Sequence, residues 1–121
     1  MTNDTPHEDA TPNAVRVTIT DEAWNTLWGY PRLIGAYVTL LREIERKQQH
    51  PLSAYVFDLA DELGVHRSTM SEYLIALDDL GLIERQSQYA SPRTGETSTD
   101  FSNARGFVRR EANLYTIKDM K

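Results

Sequence analysis

The stretch LADELGVHRSTMSEYLIALDDLGLIER, residues 59–85, constrains the fold more than any other part of the chain. Val56, Leu59, Ala60 and Leu63 fall on one face of a short helix that starts between Ser53 and Val56. Met70, Leu74, Leu77 and Leu80, spaced +4, +3 and +3, fall on one face of a second helix over about 67–80. Between the two runs, Gly64 suits a left-handed helix cap and Val65 folds back toward the core. A turn of three to four residues cannot reverse the chain antiparallel, so the two helices must cross steeply. The second helix spends its apolar face on Met70, Leu74 and Leu77, which leaves Arg67, Ser68 and Ser71, with Glu72 and Ile75 further along, pointing outward from its N-terminal half. Gly81 ends it.

The flanking segments supply the remaining elements. Val15, Val17 and Ile19 alternate with Arg16, Thr18 and Thr20, the pattern of a short strand with one buried face. Thr20 offers an N-cap oxygen to a following helix with Asp21 and Glu22 in its first turn. Trp24, Leu27 and Trp28 share one face of that helix, and Gly29 closes it. Pro31 opens a longer helix to about Gln48, with a stripe of Leu33, Ile34, Tyr37, Val38, Leu41 and Ile44, and with Arg42, Glu43, Arg46 and Lys47 at its exposed end. Pro51 breaks the chain. After Gly81 the period changes to two, and Leu82–Tyr89 and Phe107–Ile117 read as a hairpin. Its connection, ASPRTGETSTDFSNARG, is far longer than the usual hairpin loop of about two to five residues. The expected class is α+β, mainly α, in one domain over 14–121 behind a disordered tail at 1–13.

Composition removes several function classes. The 121 residues include no Cys, so no disulfide, thiolate metal site or cysteine nucleophile is available. His7, His50 and His66 are scattered without ligand spacing, and no metal or cofactor is expected. There is no G-x-S-x-G elbow, no phosphate-binding G-x-x-x-x-G-K loop and no H-E-x-x-H pair, so the chain does not read as an enzyme. No apolar run is long enough to span a membrane and the N-terminus has no signal-peptide pattern, so a cytoplasmic protein is expected. The net charge of −5 is uneven. Residues 51–83 hold six acids and a single base, Arg67, whereas residues 84–121 hold five acids and seven bases. Such a distribution matters more to partner choice than its sum.

The string Ala60-x-x-Leu63-Gly64-Val65-His66-x-x-Thr69-Met70, leading into Leu74-x-x-Leu77-x-x-x-Gly81-Leu82-Ile83, resembles the winged helix-turn-helix family of prokaryotic DNA-binding domains. The resemblance covers about residues 33–118. It implies a helix-turn-helix over about 54–80, a long-looped hairpin wing over about 82–118, and an N-terminal strand and helix as an extension. It further implies that residues 67–80 form a recognition helix, with His66 in the usual Ser/Thr cap position. Arg67, Ser68 and Ser71 would then meet base edges, and Thr69 would sit near the phosphate backbone or buttress the turn. Arg85, Arg93, Arg105, Arg109 and Arg110 would serve the wing. The chain departs from the family at Glu72, often Arg or Lys there, because a carboxylate repels phosphate. Arg110 before Asn113-Leu114-Tyr115-Thr116-Ile117 is similar to the closing wing strand of plasmid and phage replication-initiator modules. The expected partner is double-stranded DNA, bound by a homodimer; Trp24, Leu27 and Trp28 read first as core and, as the alternative, as the dimer interface. The expected role is a small transcriptional regulator. The alternatives are a replication or partition factor, or a protein-interaction module that uses its acidic face.

Overall fold

A computed structural model describes residues 16–90, 97–98 and 109–118. The elements run α1 (Asp21–Trp28), α2 (Pro31–Lys47), β1 (Leu52–Ala54), α3 (Val56–Leu63), α4 (Arg67–Asp79), β2 (Ile83–Ala90), β3 (Thr97–Ser98) and β4 (Arg109–Ile117), a mainly helical α+β arrangement.

Local chemistry accounts for the helix ends. Thr20 Oγ1 accepts from the Ala23 amide at 3.1 Å, with Asp21 and Glu22 in the positive first turn of α1. Pro31 occupies the start of α2, where its missing N–H costs nothing, and Arg46 and Lys47 face the negative end. Gly64, at φ 79°, closes α3 with its own amide and that of Val65 both donating to Ala60 O. Gly81, at φ 78°, does the corresponding work after α4, where the Leu82 amide returns to Leu77 O. Nothing lies within 4 Å of a Cβ built on either glycine, so backbone conformation and not space selects them.

The sheet is antiparallel in the order β1-β4-β2-β3. β2 pairs β4 from Ile83 opposite Ile117 to Ala90 opposite Arg109, so the hairpin read from the alternation is present. A bulge interrupts the ladder where Ala112 and Asn113 together span the place of Ser87. β1 joins on the other side of β4, Leu52 opposite Tyr115 and Ala54 opposite Asn113. Two strands are absent from the sequence reading: β3, which pairs Tyr89 and Ala90 of β2 from within the segment read as the connection, and β1, where that reading runs from Pro51 straight into the helix. Three residues carry too little alternation to register, and only the open edge of β4 makes them a strand. His50 joins the two elements by accepting the Ile117 amide at Nε2, 2.9 Å away.

One core unites the elements. Tyr37 and Leu40 of α2, Leu59 of α3, Met70, Leu74 and Leu77 of α4, and Leu52, Ile83, Tyr115 and Ile117 of the sheet are all buried in it. Each such side chain is worth roughly 1.5–3 kcal/mol of transfer free energy.

Two expectations are corrected here. Residues 16–20 form no strand: Val17 and Ile19 rest half-buried on the core while Arg16, Thr18 and Thr20 are exposed, so the alternation marks one buried face of an extended segment without a sheet edge to pair with. Val15 lies outside the described residues. Glu43 is buried, not at an exposed end, because Arg46 Nη1 at 2.8 Å and Lys47 Nζ at 3.9 Å close over its carboxylate. Among the described residues, no helix is long and apolar enough to cross a membrane.

Candidate nucleic-acid interface

The N-terminal half of α4 divides into two faces by helical spacing alone. Met70, Leu74 and Leu77 are buried, while Arg67 and Ser68 are exposed and Ser71 is half-exposed. The cap that begins this helix is histidine. His66 Nδ1 accepts from the Ser68 amide at 3.1 Å and lies 2.9 Å from Ser68 Oγ, so the ring does for the first turn what a Ser or Thr hydroxyl ordinarily does. An accepting Nδ1 leaves the ring proton on Nε2.

Arg67, Ser68 and Ser71 form one wall of an open groove of about 480 Å³. Its far wall is the sheet, with Arg85 of β2 and Asn113 and Tyr115 of β4, and Tyr55 and Val56 close one end at the start of α3. The sheet face that is apolar beneath the helices, at Ile83, Ile117 and Tyr115, turns polar at Arg85 and Asn113 as it runs out toward the wing. Arg85 Nε lies 3.3 Å from Asp78 Oδ2, and its amide reaches the same oxygen at 3.4 Å. Nε is nonetheless not aligned to donate, so the contact is an ion pair without a hydrogen bond from that nitrogen. Asn113 Nδ2 donates to Tyr115 Oη at 3.2 Å, while its Oδ1 is shielded from solvent and has no hydrogen-bond partner. A donor and an acceptor thus stand unsatisfied along one groove, an arrangement rare in protein interiors.

The residues singled out in the sequence divide between places. Arg67, Ser68, Ser71 and Arg85 come together in the groove, with the His66 cap at the start of the same helix. Glu72 does not join them. It is exposed one helical turn after Ser68, still on the outward side of α4, and lines a smaller hollow of about 330 Å³ with Tyr30, Arg32, Tyr73 and Ala76. Thr69 is half-buried and contributes to neither lining. Arg109 and Arg110 take register positions on β4 opposite Ala90 and Tyr89, at the end of the β2–β4 ladder away from Ile83 and Ile117. Arg93 and Arg105 lie outside the described residues. Tyr55 and Asn113 are groove residues the sequence reading missed. The available signal for Asn113 was its phase, two residues before Tyr115 on the inward side of the alternation.

The aromatic set of α1 is split between its two readings: Leu27 is core, which removes it as an interface candidate, whereas Trp24 and Trp28 are not core. Leu27 is fully buried, whereas Trp24 is 39% exposed and Trp28 68% exposed, their rings 5.6 Å apart. Ala23 and Leu27, four apart, hold the seam against α2, and this turns both indoles outward beside the half-exposed Tyr30. A second aromatic pair, Tyr55 and Phe57, stacks at 5.1 Å at the start of α3. Among the described residues no group of three or more His, Asp or Glu is placed to hold a metal ion. Comparison with protein-family models, curated proteins and solved structures gives no match to this chain.

Proposed function

We propose that this chain is a sequence-specific double-stranded DNA-binding protein with a winged helix-turn-helix architecture, acting as a homodimeric transcriptional regulator. One observation carries the reading. The polar N-terminal face of α4, with Arg67, Ser68 and Ser71, is exposed along an open groove whose opposite wall is a β-hairpin. A helix that presents small polar side chains and one arginine at its N-terminal end suits the major groove, and a hairpin beside it can follow the phosphate backbone. The element order supports the same reading, because α3 and α4 are joined by a tight glycine turn and followed at once by the hairpin that β1 extends.

The protein-partner alternative draws on Asp58, Asp61 and Glu62, all exposed on α3 beside Phe57. Selection of bound duplexes from a random library at physiological salt separates the two. A recovered motif, repeated about 10 base pairs centre to centre, is the expected result for a two-fold dimer. A bound pool with no enriched motif would overturn the reading in favour of the acidic face. Whether the motif lies at promoters or at a replication origin would assign the role.

A further inference from the structure

Arg85 and Asp78 meet between the last turn of α4 and the first residues of β2, at the edge of the groove that holds Arg67 and Ser71. The two side chains retain 33% and 35% of their exposure, although Arg85 Nε itself is shielded from solvent. Ion pairs so open to solvent contribute little to stability. The geometry is also incomplete, because Arg85 Nε sits 3.3 Å from Asp78 Oδ2 without the alignment of a hydrogen bond and has no other partner. Asp78 Oδ2 has a second, separate task, accepting the Arg85 amide at 3.4 Å, and this keeps the carboxylate in place whatever the guanidinium does. A guanidinium held by charge alone, beside a groove with cationic and hydroxyl donors on its other wall, is poised to change partner. A DNA phosphate offers the bidentate acceptor that such a fork prefers.

We propose that Asp78 acts as a built-in counter-ion for Arg85, which a DNA backbone phosphate displaces on binding, so that Asp78 sets both the affinity and the salt dependence of the interface. The proposal rests on the DNA-binding reading and goes beyond it by assigning a regulatory role to an acid of the recognition helix. Asp79, its neighbour, is exposed and removes the same charge when substituted, and so provides the control for general electrostatics.

The test is a salt titration of duplex binding with the full chain, on the duplex recovered by selection. D78N keeps a side-chain oxygen for the Arg85 amide while it abolishes the counter-charge. It should steepen the slope of log K against log salt by about 0.9 and tighten binding about eight-fold at 0.1 M salt, the value for one phosphate contact whose counterion release is no longer offset by the cation that the freed Asp78 carboxylate takes up. D78E should retain the wild-type slope, and D79N should leave the slope unchanged. R85A should alter the wild-type slope little, yet should cancel the whole gain of D78N in the double variant. Equal slopes for D78N and D79N, or a gain that survives R85A, would overturn the proposal. If wild type binds the duplex and R67A weakens it while D78N leaves the slope alone, this inference fails and the DNA-binding reading stands. If neither wild type nor D78N binds duplex, both fall. Should D78N not fold, Asp78→Ser, which also retains an acceptor, takes its place in the same comparison.

Discussion

A histidine at a helix N-cap is an uncommon solution to a common problem, the unsatisfied amides of a first helical turn. His66 meets it with Nδ1, which accepts from the Ser68 amide at 3.1 Å. The consequence lies in stability before it lies in recognition. His66→Ala should destabilise the fold by about 1 kcal/mol, the usual cost of losing a cap, and His66→Asp or His66→Asn should restore it. Urea unfolding would check this as a fall in midpoint at constant slope. A loss absent in His66→Ala would mean that water serves the Ser68 amide equally well. The residue scale is also where sequence reading was most exposed to error. The pairing of Arg85 with Asp78 is between residues seven apart in sequence, in two different elements, and no pattern of either residue alone announces it.

At the scale of elements, α4 carries two separable burdens on two faces. Leu74 is buried in the core and also floors the groove, whereas Ser71 reaches only the groove. Leu74→Ala should cost about 2–5 kcal/mol of stability through lost burial and a residual cavity. Ser71→Ala should leave thermal unfolding within about 0.5 kcal/mol of wild type, as surface substitutions usually do, and should act on DNA binding alone. A large stability loss in Ser71→Ala would show that the two faces are not independent. The elements that were legible in sequence are the four helices, each with an apolar face at helical spacing, and the β2–β4 pairing. Strands of two or three residues were not. Residues 52–54 become β1 because β4 offers an edge, and residues 16–20 remain outside the sheet although their side chains alternate. Strand identity depends on a hydrogen-bonding partner, and the partner lies some 60 residues away in the case of Leu52 and Tyr115.

At the scale of the whole molecule, the exposed indoles of Trp24 and Trp28, with Tyr30 half-exposed beside them, leave apolar area that a small fold seldom shows to water without use. The dimer proposed above would cover it. Sedimentation at micromolar concentration should give a dimer for the wild type and a monomer for Trp24→Ser with Trp28→Ser, with little change in unfolding midpoint because neither ring belongs to the core. A wild-type monomer would remove the dimer from the proposed function. The sequence by itself determined the helices, the glycine-closed turn between α3 and α4, the hairpin and the two-faced character of α4, because each is a matter of spacing and conformational preference within one stretch of chain. Tertiary structure alone decided strands β1 and β3, the exposure of both tryptophans beside a buried Leu27, and the counter-ion given to Arg85. Those outcomes turn on which elements become neighbours, and neighbours are chosen by the core as a whole, where apolar faces from every element must close on one another at once.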